Sequence, residues 1–264
     1  MQANLLELLR GVDTPSVCNA IERIQGGRGF AGFTRGTPCP NDAARTGRIV
    51  GYARTARIRG SAPPSEPAQS VRARRMAYYR YMAQGPQPVV AVIEDLDFPR
   101  CNAAFWGEIN TSVHRAFGLS GALTNGVMRD LDALPDDFGI LAGSVGPSHA
   151  HVHVLEIDKP VRVFDLVVAP GDLIHADRHG AVVIPPEAVP ELAGAIDALR
   201  ESERLILEPA RAPGFSIEEF EAAWVAFEAA RGWPERDEVP TAHEKEAPAA
   251  DLAPITFTPV TRSA

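Results

Sequence analysis

Short apolar segments alternate with turn residues along most of the chain, and their lengths predict alternating helices and strands. Residues 88–94 contain a short, continuous apolar run, which is typical of a buried strand. Thr14 and Pro15 predict the start of a helix through residue 24, because threonine is a favoured N-cap and proline a favoured first helical residue. The same patterns predict helices at 5–9, 68–82, 107–117 and 186–207, strands at 47–58, 121–124, 149–157, 161–168, 172–176 and 181–184, a short α/β step ending at 140–143, and a loop at 30–46.

The order of these elements predicts a single α/β domain at residues 1–210. A further amphipathic helix is predicted at 216–231, with Ser216 as its N-cap and Glu219 at the capping-box position. Residues 233–264 contain five prolines, several charges and little periodicity. We therefore expect residues 211–264 to form a C-terminal extension made of one helix and a proline-rich tail.

Composition and charge exclude several classes of protein. The chain has 264 residues, of which 45% are hydrophobic, and its net charge of −8 argues against non-specific binding to nucleic acid. No apolar run is long enough to cross a bilayer, and no signal-peptide core is present. The three cysteines are far apart and lack C-x-x-C spacing, which argues against a disulfide framework or a zinc cluster. We expect a reduced cytoplasmic protein.

Lysine is nearly absent, and this restricts the possible chemistry. The only lysines are Lys159, in a predicted exposed turn, and Lys245, in the polar tail. Schiff-base chemistry requires a lysine in an apolar pocket, and phosphate-binding loops require a G-K-[ST] sequence that this chain lacks. If the protein acts on a carbonyl group, we therefore expect a metal ion to be the electrophile.

The residues best suited to chemistry lie between positions 107 and 130. Twenty residues separate Glu108 from Arg129, enough for one helix and one strand, so both can lie at the same end of a sheet. Gly107 precedes a predicted helix whose first amides can bind a carboxylate. Arg129 offers a planar, two-pronged donor to an acid substrate, and Asp130 offers an oxygen ligand to a hard divalent cation. From spacing alone, a plain turn pair at 129–130 and a solvated helix residue at 108 are an equally good interpretation.

Several motifs together resemble one known family. They are the Gly107-Glu108 pair, the Arg129-Asp130 pair twenty residues later, the stretch PGDLIHADRHGAVVIP at 170–185 and the opening helix TPSVCNAI at 14–21. The family contains the 4-hydroxy-4-methyl-2-oxoglutarate/4-carboxy-4-hydroxy-2-oxoadipate aldolases and the ribonuclease-E regulator RraA, and many members are misnamed demethylmenaquinone methyltransferases. The resemblance covers roughly residues 14–207.

The resemblance implies a swivelling β/β/α-type layered fold and a homo-trimer or a hexamer built as a dimer of trimers. By the family pattern, Glu108 stands at the first acidic position, Arg129 at the substrate-binding arginine and Asp130 at the aspartate associated with Mg²⁺ or Mn²⁺. The amides from Gly107 to Ile109 would hold the same end of the substrate. An acidic residue can also come from the C-terminal helix of a neighbouring subunit, for which Glu203 is the candidate. The chain departs from the pattern where glutamate replaces the usual aspartate at 108, and where asparagine replaces aspartate at 125 and at 19.

The implied function is a divalent-metal-dependent lyase that cleaves a 4-hydroxy-2-oxo acid to pyruvate, with decarboxylation of an oxaloacetate-like acid as a related activity. The resemblance equally allows a non-catalytic binding protein of the RraA kind. Glu108 favours the enzyme, because members that lack aldolase activity lack the first acid. A third interpretation is a metal-dependent enzyme that acts on another keto-acid or on a sugar acid.

Other polar residues have competing interpretations. His149, His151 and His153 alternate, so a strand would place them on one face, yet they would spread over about 13 Å and could not share one ion. We expect them at a subunit interface or on a polar sheet face, with a place in the active site or a separate metal site as alternatives. Three polar residues in predicted turns are expected to form hydrogen bonds within those turns: Asp172, Asp177 and His179. Trp106 is expected in the core or at the pocket wall.

Overall fold

The strands form one large mixed sheet, one small parallel sheet and a two-stranded ribbon. The computed structural model describes residues 3–36 and 38–231, and the predicted tail therefore lies outside the described residues. The strands are β1 (Cys39–Pro40), β2 (Ile49–Arg59), β3 (Val89–Asp95), β4 (Ala104–Trp106), β5 (Leu119–Thr124), β6 (Val127–Met128), β7 (Gly139–Ala142), β8 (Ser144–Val145), β9 (His153–Ile157), β10 (Val161–Val163), β11 (Leu166–Val168), β12 (Leu173–Asp177) and β13 (Gly180–Ile184). The helices are α1 (Ala3–Arg10), α2 (Thr14–Ile24), α3 (Asp42–Thr46), α4 (Ala68–Met82), α5 (Glu108–Ala116), α6 (Leu192–Ala210) and α7 (Ile217–Arg231).

The large sheet has a parallel centre and antiparallel edges. Its order is β1-β7-β5-β3-β2-β12-β13, and the four central strands β7, β5, β3 and β2 run parallel to one another. The first part of β2 pairs with β12 and its last part pairs with β9, both antiparallel. Parallel strands are covered on both faces, which explains why residues 89–93 are all apolar and fully buried.

Alternate residues of β3 divide the core into layers. Val89, Ala91 and Ile93 pack against α4 and the small sheet, whereas Val90 and Val92 pack against the β10–β11 ribbon. Successive side chains on a strand point to opposite faces, and each buried aliphatic side chain contributes about 1.5–3 kcal/mol. The order of helix, sheet and ribbon is a layered α/β arrangement, as predicted. A third cluster joins α1, α2 and α6 to β12 and β13.

The small sheet determines where the polar residues lie. It consists of β4, β6 and β8, all parallel, in the order β4-β6-β8. The carboxyl ends of parallel strands meet at one edge, so the segments that follow β4 and β6 are neighbours. Helix α5 begins directly after β4.

Two helix predictions are confirmed and one N-cap prediction is wrong. Helix α4 has the predicted bounds, and α7 begins with the predicted capping box, because Ser216 N donates to Glu219 Oε2 and Glu219 N donates to Ser216 Oγ. At α2 the N-cap is Asp13 rather than Thr14, and its Oδ1 accepts from Ser16 N at 2.9 Å. Thr14 Oγ1 lies instead 3.0 Å from His175 Nδ1. The hydroxyl that was predicted to cap the helix is therefore used in a tertiary contact.

Three predictions in irregular regions are also wrong. The predicted strand at 149–157 begins only at His153, since its partner β2 ends at Arg59, opposite His153. The predicted strand at 161–168 is a hairpin, with positive φ at Phe164 (49°) and Asp165 (64°), as a two-residue hairpin turn requires. The predicted loop at 30–46 contains the short elements β1 and α3. Of the helices described, none is long and apolar enough to span a bilayer.

Candidate active site

The small sheet brings the two predicted motifs into contact. Strand β4 ends at Trp106 and β6 ends at Met128, and the next residue, Arg129, donates its backbone N–H to Trp106 O at 2.9 Å. This hydrogen bond extends the β4–β6 pairing by one step. The Gly107-Glu108 and Arg129-Asp130 pairs therefore lie side by side at the start of α5.

Asp130 caps helix α5 from outside that helix. Gly107 is the N-cap residue and has no side chain to cap with, and Asp130 Oδ2 accepts instead from Glu108 N at 3.2 Å. A carboxylate is favourable there because the helix N-terminus carries a partial positive charge. Asp130 has φ 56°, a left-handed conformation that aspartate tolerates better than most residues. Arg129 Nε lies 3.3 Å from the same Oδ2.

A pocket of about 440 Å³ opens beside this group. Arg129 and Asp130 line it together with Gly107 and Ile109, while helix α4 contributes Arg75 and other residues to its wall. The segment before β9 contributes the rest, and all three predicted histidines lie there. The lining from that segment is His149, Ala150, His151, Val152 and His153.

Glu108 takes a different position from the other predicted site residues. It is the first residue of α5, it is exposed, and its side chain is not part of the pocket lining. Its backbone amide faces Asp130. The carboxylate of Glu108 is therefore exposed and is not one of the groups that line the pocket.

Helices α4 and α5 are held together behind the pocket by a hydrogen-bonded chain. Tyr79 OH donates to Asn110 Oδ1 at 3.1 Å, and Asn110 Nδ2 donates to Phe105 O at 2.8 Å. His114 Nδ1 donates to Asn110 O at 2.6 Å, which leaves Nε2 to accept from Tyr78 OH at 2.7 Å. Burial lowers the pKa of His114 to about 4, so the ring is neutral near pH 7.

The charges that line the pocket favour an anion. Arg129 and Arg75 are both cationic, and Asp130 is the only carboxylate among the described lining residues. Among the described residues, Arg75 forms no hydrogen bond or ion pair, so its guanidinium is available to a ligand. An acid substrate could therefore be bound from two sides, by Arg129 beside α5 and by Arg75 on α4.

A tightly held metal ion is not built into this part of the protein. Within residues 3–36 and 38–231, no group of three or more His, Cys, Asp or Glu residues is arranged to hold an ion. Asp130 offers Oδ1, which has no hydrogen-bond partner among them. Mg²⁺ is commonly bound by one or two carboxylates, with substrate and water as the other ligands. The residues therefore fit an ion that binds with the substrate.

The other polar residues singled out from the sequence have structural roles. Asp172 Oδ2 accepts from Ala169 N at 2.8 Å, within a turn. Asp177 Oδ1 accepts from His179 N at 2.8 Å. Burial alone would raise the pKa of the Asp177 carboxyl group. The backbone N–H groups of His179 and Thr14, which donate to it, instead hold this pKa below its usual range. Trp106 is fully buried in the core and does not line the pocket.

Glu203 lies in a separate groove between α2, α6 and α7. Burial raises the pKa of its carboxyl group. Glu203 does not line the pocket of its own chain. Its predicted contribution to a neighbouring subunit remains a prediction.

The three histidines were expected at a subunit interface or on a polar sheet face, with a place in the active site as the alternative. His149 and His151 lie in the turn before β9 rather than on one face of a strand with His153. They nevertheless line the pocket, because the segment that leads into this turn is joined to the start of β4, where Ala104 N donates to Ser148 O at 2.9 Å. Arg75 and Tyr79 were not identified from sequence, since nothing in the α4 pattern marks which face meets the pocket.

Comparison with protein families gives a match over most of this fold. The family model RraA-like, Aldolase/RraA, matches residues 14–183. An uncharacterized protein of Methanocaldococcus jannaschii is 30% identical over 107 residues, which are 40% of this chain and 51% of that protein. The chain thus spans about half the length of that relative.

Solved structures show the same fold at low sequence identity. An uncharacterized protein from Pseudomonas syringae pv. tomato is 23% identical with a TM-score of 0.61, over 84% of this chain and 94% of the other. The Streptomyces coelicolor protein RraAS2, described as an unusual member of the RNase ES inhibitor RraA family, is 20% identical with a TM-score of 0.58. That match covers 80% of this chain and 98% of the other.

Proposed function

Because the chain belongs to the Aldolase/RraA family, we propose that it is a divalent-metal-dependent lyase that cleaves a 4-hydroxy-2-oxo acid to pyruvate. Decarboxylation of an oxaloacetate-like acid is proposed as a second activity of the same site. One observation carries the proposal: Arg129 and Asp130 meet the N-terminus of α5 at the edge of a pocket whose lining favours an anion.

The proposed mechanism begins with substrate binding. The guanidinium of Arg129 holds the carboxylate next to the 2-oxo group through paired hydrogen bonds, and the free amides at the start of α5 bind the same end. Asp130 would hold Mg²⁺ or Mn²⁺, which supplies positive charge that stabilises an enolate oxygen. Arg75, on the opposite helix, binds the other end of an acid.

The bond-breaking step requires a base and ends in an enolate. Glu108, acting through a water molecule, removes the proton of the 4-hydroxyl. The O–H electrons form a new carbonyl at C4, the C3–C4 bond breaks, and its electron pair gives the enolate of pyruvate. In oxaloacetate the C3–C4 bond breaks as well, and C4 leaves as carbon dioxide. The electron pair of that bond gives the same enolate of pyruvate, so one site can serve both reactions.

We further propose that the protein acts as a trimer or hexamer. Exposed apolar side chains near the site support this assembly. Ile109 and Leu131 directly follow Glu108 and Asp130, and Val145 belongs to β8 of the same small sheet. Ile109 is 76% exposed, Leu131 is 46% exposed and Val145 is 49% exposed. A neighbouring subunit would cover this surface and bring its own acidic residue, for which Glu203 is the candidate.

A non-catalytic binding protein of the RraA kind is the alternative. The Streptomyces coelicolor protein RraAS2, which shares this fold, is described as a member of an RNase ES inhibitor family. The carboxylate of Glu108 favours the enzyme, because a binding protein has no evident need for it at this position. An enzyme that acts on another keto-acid or on a sugar acid would use the same Arg129 and Asp130. It would differ in the residues that contact the end of the substrate far from Arg129.

The test is release of pyruvate from oxaloacetate and from 4-hydroxy-4-methyl-2-oxoglutarate, after removal of metal with EDTA and with Mg²⁺ or Mn²⁺ restored. We expect pyruvate only when the ion is present. Pyruvate release that is equal with and without metal would contradict the proposed metal dependence. No pyruvate from either acid, with protein shown to be folded, would favour the binding protein or a different acid.

A further inference from the structure

His153 differs from the other two histidines of the pocket in both burial and orientation. The residue is 7% exposed, whereas His149 and His151 are exposed. Strand β9 begins at His153, opposite Arg59 of β2, so the backbone that carries the ring is held in the large sheet. Such a ring is fixed in place more firmly than a side chain on a free turn.

A hydrogen bond defines which nitrogen of His153 faces the pocket. Nδ1 lies 2.7 Å from the carbonyl oxygen of His151, and a carbonyl only accepts, so Nδ1 carries the proton. Nε2 then has the lone pair when the ring is neutral. Nε2 has no partner among the described residues, and it is not among their buried unpaired atoms. It is therefore accessible, and His153 is one of the residues that line the pocket.

We propose that His153 is the acid that converts the enolate into pyruvate. Given the proposed function, the enolate needs a proton at C3 after the C3–C4 bond has broken. The protonated imidazole gives its Nε2 proton to C3, the C2–O bond becomes a carbonyl, and the ring is left neutral. His153 then regains a proton from solvent, while Glu108 returns to solvent the proton it took from the hydroxyl.

The surroundings of His153 suit this role. Imidazole is the usual acid–base group of enzymes near neutral pH, and a backbone carbonyl that accepts from Nδ1 holds its orientation in both protonation states. Glu108 is not part of the pocket lining. Removal of the hydroxyl proton and protonation of C3 are therefore assigned to two different side chains, Glu108 and His153. The other ionisable side chains that line the pocket are Arg75, Tyr79, Arg129, Asp130, His149 and His151. Arg59 lies opposite His153 on β2, and Arg74 of α4 donates to Val154 O beside it.

The test uses the reverse of the last step, exchange of the methyl protons of pyruvate with D₂O, followed by NMR on the Mg²⁺-loaded full chain. His153→Asn is the matched variant, because its amide can still donate to His151 O but has no counterpart of Nε2. We expect the exchange rate to fall at least ~10²-fold, with the KM for pyruvate nearly unchanged and part of the rate restored by added imidazole. His179→Asn, outside the pocket, is the control and should exchange like the wild type.

Each outcome decides between the two proposals. Exchange by His153→Asn at the wild-type rate would overturn the role of His153 and leave the proposed function intact. Absence of exchange in the wild type would overturn both.

A second measurement does not depend on a stable variant or on turnover. Oxalate resembles the enolate, and its binding to wild-type protein should shift the NMR signals of the His153 ring and leave those of His179 unchanged. An unshifted His153 with oxalate bound would overturn the proposal.

Discussion

Gly107 and Asp130 lie so close together that no side chain fits between them. A Cβ atom placed on Gly107 would be 2.5 Å from Asp130 Oδ2 and 3.1 Å from Arg129 Cγ. The φ of Gly107 is −159°, which any residue adopts, so this glycine is required for space rather than for backbone conformation. The contact explains why a glycine precedes Glu108 in this chain.

Replacement of Gly107 should therefore disturb the site directly. In Gly107→Ala the methyl group pushes the Asp130 carboxylate away from Glu108 N, and we expect loss of most turnover and destabilisation by about 1–3 kcal/mol. Urea unfolding and pyruvate release measure the two effects. Gly194→Ala is the control, since a Cβ there meets nothing within 4 Å and should stabilise α6 by about 0.5–1 kcal/mol. Full activity in Gly107→Ala would contradict the proposed role of Asp130.

Asp130 can be tested without changing its backbone. Asparagine tolerates positive φ as aspartate does, and its amide oxygen can still accept from Glu108 N. We expect Asp130→Asn to lose at least ~10²-fold in metal-dependent turnover, because a neutral amide binds Mg²⁺ poorly, while the free energy of unfolding changes by less than about 1 kcal/mol. Asp165→Asn, at another positive φ outside the pocket, serves as the matched control.

Lysine should substitute for Arg129 only poorly. Lysine keeps the charge but presents a single ammonium group rather than a planar fork, so we expect Arg129→Lys to raise the KM about 10- to 100-fold and Arg129→Ala to abolish turnover. Circular dichroism checks that both variants fold. Arg204→Ala removes an exposed arginine of α6 and should leave the kinetics unchanged. Wild-type KM in Arg129→Lys would argue against a paired contact with the substrate carboxylate.

Glu108 distinguishes an enzyme from a binding protein. Glu108→Gln removes the proposed base and preserves the backbone amide that donates to Asp130, so we expect kcat to fall about 10²- to 10⁴-fold with the fold intact. Glu108→Asp should retain part of the activity, because aspartate is the usual residue at this family position. Glu218→Gln, exposed in the first turn of α7, is the control. Unchanged kcat in Glu108→Gln would remove Glu108 from the mechanism.

The buried His114 predicts how stability depends on pH. Its pKa in the folded protein is about 4, below the usual 6.5, so the unfolded chain binds more protons as the pH falls. The stabilisation is complete above the unfolded pKa and decreases as the pH falls towards 4. We expect His114 to reduce the free energy of unfolding by about 2 kcal/mol between pH 7 and pH 5, measured with urea.

NMR titration of the His114 ring gives a residue-specific check of that prediction. Burial also lowers the pKa of His175, which adds a change of the same sign. A His114 ring that becomes protonated near pH 6.5 in the folded protein would contradict the explanation. So would a free energy of unfolding that rises between pH 7 and pH 5.

Local patterns predicted the elements whose residues interact mainly with their chain neighbours. The bounds of α4 and the capping box of α7 follow from residues three to fifteen positions apart, and the buried strand β3 follows from its continuous apolar run. The predictions failed where a distant partner decides the outcome. Thr14 contacts His175 and the N-cap is Asp13, and β9 begins only at His153 because β2 ends opposite it.

The sequence by itself determined the class of fold, through its alternating helix and strand patterns, and it leaves no lysine in a segment suited to a Schiff base. Glu108, Arg129 and Asp130 were selected by resemblance to the family, because their spacing alone fits a plain turn pair equally well. Only the tertiary structure decided which groups share one pocket. Strand pairing between β4 and β6 joins Arg129 to Gly107, and the turn before β9 brings His153 beside them, although these segments lie far apart in the chain. Such contacts depend on how sheets and helices pack, which no short stretch of sequence encodes.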